Sequence, residues 1–298
     1  MSSSTQKRAP SAVGGIFRFL GLLLLMVVII FVVGYCYLRF SMGIDVFDIV
    51  KKLNLLKQGV SESQVVTQPY DNQDSVDGLQ VLFGSNTIYT QDGQEYVFDE
   101  DEFIVSELVG DVNLTDEQFA GVMNLFLNNI YSASGSQDFA QFVQLKQIKF
   151  DNFKVSSEKT NVDVTVVSKL DFSKFKESMN KNGNFVVDIL NGLIPNDIYV
   201  TANITVTIDE ANSNSFTTKG NYVIINNLSK EDSKGVLDLL DIVAGNSGKS
   251  LVEEINSTFA TLMFGNDEQE GFLNVITGYS SFTFEQESTN IYISLKKA

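Results

Sequence analysis

Residues 160–172, TNVDVTVVSKLDF, and residues 198–208, IYVTANITVTI, decide the fold. In the first, Val162, Val164, Val166, Ser168, Leu170 and Phe172 fall on one side of an extended chain, with Asp163, Thr165, Lys169 and Asp171 on the other. In the second, Ile198, Val200, Ala202, Ile204, Val206 and Ile208 oppose Thr201, Asn203, Thr205 and Thr207. A period of two predicts strands, and strands with one apolar side predict an antiparallel sheet with one wet face.

Outward from these strands the period turns helical. Thr115 predicts an N-cap with Gln118 at the capping-box position, and Phe119, Val122, Met123, Phe126 and Ile130 form the buried stripe behind it. A second helix starts after Ser229, with Val236, Leu237, Leu240 and Val243 inward; a third spans roughly 250–264, where Leu251, Ile255, Phe259, Leu262 and Met263 share a stripe. Residues 185–193 read as a further helix, ended near Ile194-Pro195 because the residue before proline leaves the α region. Asp92-Gly93 predicts a two-residue turn pairing Gln91 with Gln94, Tyr89 with Tyr96 and Ile88 with Val97. The chain closes on an expected hairpin, Tyr279–Gln286 with Thr289–Leu295. Mixed helices and meandering strands make an α+β domain over residues 78–298.

The N-terminal part is of another kind. Residues 1–15 lack apolar periodicity and read as a disordered tail, and 16–39 read as an anchor. Phe19 to Leu38 are twenty uncharged residues without a polar stripe, which as a helix would reach about 30 Å, the thickness of a bilayer's hydrocarbon. Tyr35 and Tyr37 spoil a cleavage site and suit the interfacial aromatic belt. Residues 40–77 read as a juxtamembrane helix (Phe47, Val50, Leu53, Leu56) followed by a polar linker over 58–77. A basic tail ahead of an uncleaved span and a long polar region is a signal-anchor layout, so the expected location is a single-pass membrane protein, N-terminus cytoplasmic and 40–298 extracytoplasmic.

Charge and composition exclude several functions. The three arginines, Arg8, Arg18 and Arg39, all lie before residue 40, and with Lys7 they give residues 1–39 a charge of +4; against 37 acids the remaining 17 lysines leave −20 on the body. An arginine-free surface of that sign repels phosphate backbones, so nucleic acid is not an expected partner. The chain has no histidine and one cysteine, Cys36. Ser-His and Cys-His nucleophiles, histidine acid/base chemistry and His-containing zinc sites cannot be built from it. Ser156/Lys159 and Ser173/Lys176 have S-x-x-K spacing without the accompanying S-D-N or K-T-G. Gly245 to Ser250 ends like a phosphate loop, but Val243 stands where the first glycine is required. The acidic runs 71–78 and 99–102 lack calcium-loop spacing. Sequons at Asn113, Asn203, Asn227 and Asn256 are no more than a chain rich in Asn, Ser and Thr carries by chance. No catalytic residue, cofactor or metal ligand is therefore assigned.

The anchor, the run Leu114-Thr115-Asp116-Glu117-Gln118 opening a helix, the one-sided strand 160–172, and Ile194-Pro195 before 198–208 together resemble the YpmS-type proteins of Gram-positive bacteria. The resemblance covers about a third of the chain and implies an extracytoplasmic α+β domain with a lipid-accommodating groove. The expected function is a membrane-tethered binding or interaction domain of the cell envelope. Its ligand would be lipid-like or an envelope protein, and its bilayer contact residues 19–38. If the helices stand off the sheet, Ile204, Val206, Phe259 and Met263 line an apolar groove; if they cover it, these residues are core. The alternative is a hydrolase using paired carboxylates.

Overall fold

The computed structural model describes residues 51–84 (except 52, 53 and 58), 90–97 (except 93 and 94), 108–133 (except 109), 143–171 (except 157), 173, 195–244 (except 210 and 211), 250–273 (except 267 and 268) and 278–297. The tail, the apolar run 19–38, the acidic run 99–102, the expected helix 185–193 and the glycines at 245–248 lie outside them. No helix among the described residues is long and apolar enough to cross a membrane.

The body is α+β. Its helices are α1 (Asn72–Phe83), α2 (Asp116–Ala133), α3 (Lys230–Ala244) and α4 (Leu251–Phe264). Strands β1 (Thr90–Asp92) and β2 (Glu95–Val97) form one hairpin, and β8 (Gly265–Asn266) with β9 (Gln269–Glu270) another. The main sheet is an antiparallel meander of β4 (Val143–Val155), β5 (Lys159–Asp171), β6 (Asp197–Asp209) and β7 (Asn212–Ile225). A smaller sheet has the order β10 (Ser281–Glu287), β11 (Asn290–Lys296), β3 (Val112–Thr115).

The two runs that predicted strands are β5 and β6, paired Val162↔Val206, Val164↔Ile204 and Val166↔Ala202, all six fully buried. Their shared face is roofed by α4, the small sheet and α2 through a layer of phenylalanines. Phe119 on α2 lies 5.8, 6.3 and 5.3 Å from the rings of Phe150, Phe264 and Phe272. Phe282 stacks on Phe264 at 5.3 Å and meets Phe216 at 5.2 Å, and Phe284 meets Phe150 edge-on at 5.2 Å. Each such ring removes on the order of 150–250 Å² from water, which makes this layer a large source of stability in the body.

The helix starts follow the sequence. Thr115 Oγ1 accepts the Gln118 N–H at 3.2 Å while Gln118 Oε1 accepts the Thr115 N–H at 3.1 Å. Ser229 Oγ accepts the Asp232 N–H at 3.0 Å, and Ser250 with Glu253 closes a reciprocal box at 3.2 and 3.3 Å. The closing hairpin forms where expected, with Glu287 paired to Asn290 and Gln286 to Ile291.

Three readings need correction. The two-residue hairpin connection is Gly93-Gln94 and not Asp92-Gly93: Asp92 pairs with Glu95, Gln91 with Tyr96 and Thr90 with Val97. Residues 58–77 are not a free linker. They hold a 3-10 turn, Glu62–Gln64, and the start of α1, which Asp71 caps by accepting the Asp74 N–H at 2.9 Å. Leu79 and Leu82 bury that helix in the main core, together with Leu56 from the expected juxtamembrane helix. Glycines let α1 and α2 touch, since a Cβ on Gly78 would meet Val122 Cγ2 at 2.7 Å and one on Gly121 would meet Ser75 Oγ at 2.5 Å. Lastly, the wet face of the sheet is partly covered: Val66 packs there on Val167 and Tyr199, all three buried.

Candidate functional site

The expected groove residues come together as core. Ile204, Val206 and Met263 are fully buried and Phe259 is half-buried, packed against the same cluster. Phe264 on α4 supplies the ring that α4 lays over the sheet, so these side chains are interior packing and not a lining exposed to a ligand. Helix α4 and the sheet are in close contact, since a Cβ on Gly220 of β7 would meet Asn256 Cβ at 2.7 Å.

The serines of the two S-x-x-K pairs bond to their neighbours in the chain. Ser156 Oγ donates to the Lys159 carbonyl at 3.1 Å within the β4–β5 turn, and Ser173 Oγ donates to Asp171 Oδ1 at 2.5 Å. Two sequon asparagines, Asn203 and Asn256, are buried, which closes them to glycosylation in the folded body; Asn113 and Asn227 are exposed. Ser250 serves as the cap of α4 and Asp71 as the cap of α1, which accounts for both motif-like stretches. Among the described residues no group of three acids and cysteines is placed to hold a metal ion.

Two polar arrays remain. The first covers the sheet's far face. Thr207 Oγ1 donates to Asn161 Oδ1 at 2.6 Å, Thr205 Oγ1 to Asp163 Oδ1 at 2.5 Å, and Asn203 Nδ2 to Thr165 Oγ1 at 2.8 Å. Asn221 Nδ2 reaches both Asn203 Oδ1 and Thr205 Oγ1 at 2.8 Å, carrying the ladder onto β7, and Asn152 ties Asp163 to β4 at 2.8 Å. The alternation of β5 and β6 foretells which residues face this way; their pairing comes from the register alone.

The second array lies where the segment 61–70, a strap, crosses the edge of β4. Gln147 Oε1 accepts the N–H groups of Thr67 at 2.8 Å and Gln68 at 3.1 Å, and the Tyr70 hydroxyl donates to the Leu145 carbonyl at 2.9 Å. Glu62 meets Lys146 at 3.2 Å and accepts from the Tyr199 hydroxyl at 3.3 Å. Beneath the strap sit Asp116 and Glu117, first residues of α2. Gln68 Nε2 donates to Glu117 Oε1 and lies 3.4 Å from both Asp116 oxygens, while Asp116 Oδ2 accepts the Phe150 N–H at 3.2 Å.

Burial, then the hydrogen bond with Glu117 and its charge, push Asp116 up to about 7. Burial works against the charge of Glu117 too, but hydrogen bonds from Asp116 and Gln68 outweigh it and hold Glu117 below its usual value. The pair thus keeps one proton between two carboxyls near neutrality. Burial also raises Tyr70, with Glu62 adding to the effect. The sequence marks these acids only as a favourable first turn of a helix; that they share a proton depends on the strap, whose position the sequence leaves open.

No family model matches this chain, and neither does any curated protein or solved structure.

Proposed function

We propose that the chain is a membrane-tethered extracytoplasmic domain that acts by holding a partner rather than by catalysis, engaging an envelope protein through the far face of the main sheet. The observation that carries this reading is the hydrogen-bonded ladder Asn161–Thr207, Asp163–Thr205, Thr165–Asn203 and Asn221, which spans adjacent strands and fixes its own rotamers. A polar surface already ordered loses little side-chain entropy on association. The apolar face is filled by phenylalanine, so support for an apolar ligand lapses while a protein partner remains. The tether rests on the uncharged run 19–38, the basic residues before it and the resemblance to the YpmS-type layout.

The carboxylate-hydrolase alternative has less support. Asp116 and Glu117 are consecutive on one helical turn and already taken up by Gln68 and the Phe150 N–H beneath the strap, so neither carboxyl is presented to a substrate.

A photoreactive amino acid placed at Thr207, with Ser257 on the exposed side of α4 as control, tests the interface in living cells. A discrete crosslinked protein from position 207 and none from 257 is expected; equal or absent crosslinking at both sites refutes it. Protease added to intact cells tests topology separately: digestion of the body is expected, and protection until lysis reverses the orientation.

A further inference from the structure

We propose that Asp116 and Glu117 form a shared-proton latch for the strap 61–70: with one proton between the two carboxyls the strap is held against α2 and the edge of β4, and with none it lifts away. One neutral carboxamide, Gln68, faces two adjacent carboxyls with only two N–H groups for three oxygens in reach, and the Phe150 N–H is the further donor to Asp116. Every element packed around the pair adds acid or neutral groups. From α1 come Asp71 and Asp74, the latter itself raised by burial and by the charges of Asp71 and Glu117. From β4 comes the Phe150 N–H, whose neighbour Lys149 is paired to Asp151 at 3.0 Å. From the strap comes Gln68, with Glu62 farther along paired to Lys146 at 3.2 Å. From α2 itself come Thr115 and Gln118, occupied in capping each other.

The positive end of α2 favours one negative charge there. A second, placed beside the first, is repelled and kept from water by the strap; Gln68 donates at least as well to an anion, so it is hydration of the two charges on lifting the strap that favours the open form. The other holds are Thr67 and Gln68 on Gln147, Tyr70 on Leu145, Glu62 on Lys146 and the Tyr199 hydroxyl, and Val66 on Val167 and Tyr199. Loss of the central one exposes the rest to water. The latch stands whatever the N-terminus does; only its consequence, freedom of the body to tilt relative to the bilayer, rests on the tether proposed above, and the protease test fails independently of it.

Hydrogen exchange of the full chain in detergent micelles, followed by mass spectrometry from pH 5.5 to 8.5 and corrected for intrinsic rates, tests the latch. Protection of peptides covering 61–70 is expected to fall at least about tenfold across that range while the β6 peptide 198–208 keeps its own. In Asp116→Asn, which retains an acceptor for Phe150 and cannot ionise, strap protection is expected to stay flat. Glu117→Gln, which removes the neighbouring charge but leaves Asp116 buried and able to ionise, is expected to give a shallower decline and is the test if the first variant folds poorly. A flat wild-type profile, an equal decline in the variants, or loss of strap and β6 protection together would each overturn the proposal.

Discussion

The two faces of the β4–β7 sheet come from the same strands but hold together by different means. On the near face Val164, Val166, Ile204 and Val206 disappear under phenylalanines, and stability there scales with apolar area removed from water. On the far face Asn161, Asp163, Thr165 and their partners on β6 hydrogen-bond in register, exchanging water for each other at a net gain of about 1 kcal/mol per bond. The near face specifies that the body folds; the far face adds less to stability and presents polar groups in a fixed order.

The largest test of this contrast is Phe119→Ala, which removes the ring that touches Phe150, Phe264 and Phe272 and is expected to cost about 3–5 kcal/mol in urea unfolding of the full chain. A loss below about 1 kcal/mol would mean the aromatic layer is not the core. Ile204 and Asn203 then sharpen the comparison, being neighbours on β6 that face opposite ways. Ile204→Ala is expected to cost about 2–5 kcal/mol and Asn203→Ala about 1 kcal/mol. Similar values would erase the distinction between the faces.

Gly121→Ala asks whether the roof of the near face is as tightly fitted as its floor. Alanine favours a helix by about 1 kcal/mol over glycine, yet its Cβ would lie 2.8 Å from Ser75 backbone atoms, so a net loss of about 1–3 kcal/mol is expected. Increased stability would show that α1 can move off α2.

The pH dependence of thermal unfolding is the smallest effect and belongs to the far-face edge, where the strap sits. Asp116, raised from 3.8 to about 7, holds a proton in the folded state that the unfolded chain has released. Its contribution to stability is therefore full below 3.8 and is lost as the pH rises through 7. Glu117 acts oppositely, its contribution being present above the ordinary glutamate range and lost as pH falls through its lowered value. A midpoint that declines from pH 5.5 to 8.5 in wild type and less steeply in Asp116→Asn is expected; parallel curves would remove the acid pair from the explanation.

Much of the near face is legible because it is written locally. The alternation in β5 and β6 and the caps at Thr115, Ser229 and Ser250 each need only a few neighbouring residues. The edge strands are not. In β4 a register shift between Leu145 and Gln147 interrupts the alternation, so Leu145, Gln147, Ile148 and Phe150 are all buried without a period of two. In β7 the run Ser215, Thr217, Thr218, Lys219, Gly220 and Asn221 carries no apolar alternation, and it is a strand because β6 supplies its partners. Helix α1 was hidden by Asp, Ser and Gly, residues that suit a turn until Gly78 and Gly121 are seen to let two helices close on each other.

What the sequence determined alone is the class of the body, its two long central strands, its helix starts and the separate character of residues 19–38. Tertiary structure decided that the apolar face closes as core, that 61–70 lies along the edge of β4, and that Gln68 meets both Asp116 and Glu117. The physical reason is range. Periodicity and capping are energies between residues a few positions apart, while Val66 finds Val167 and Tyr199, and Gln68 finds Asp116, across chain lengths that local patterns do not encode.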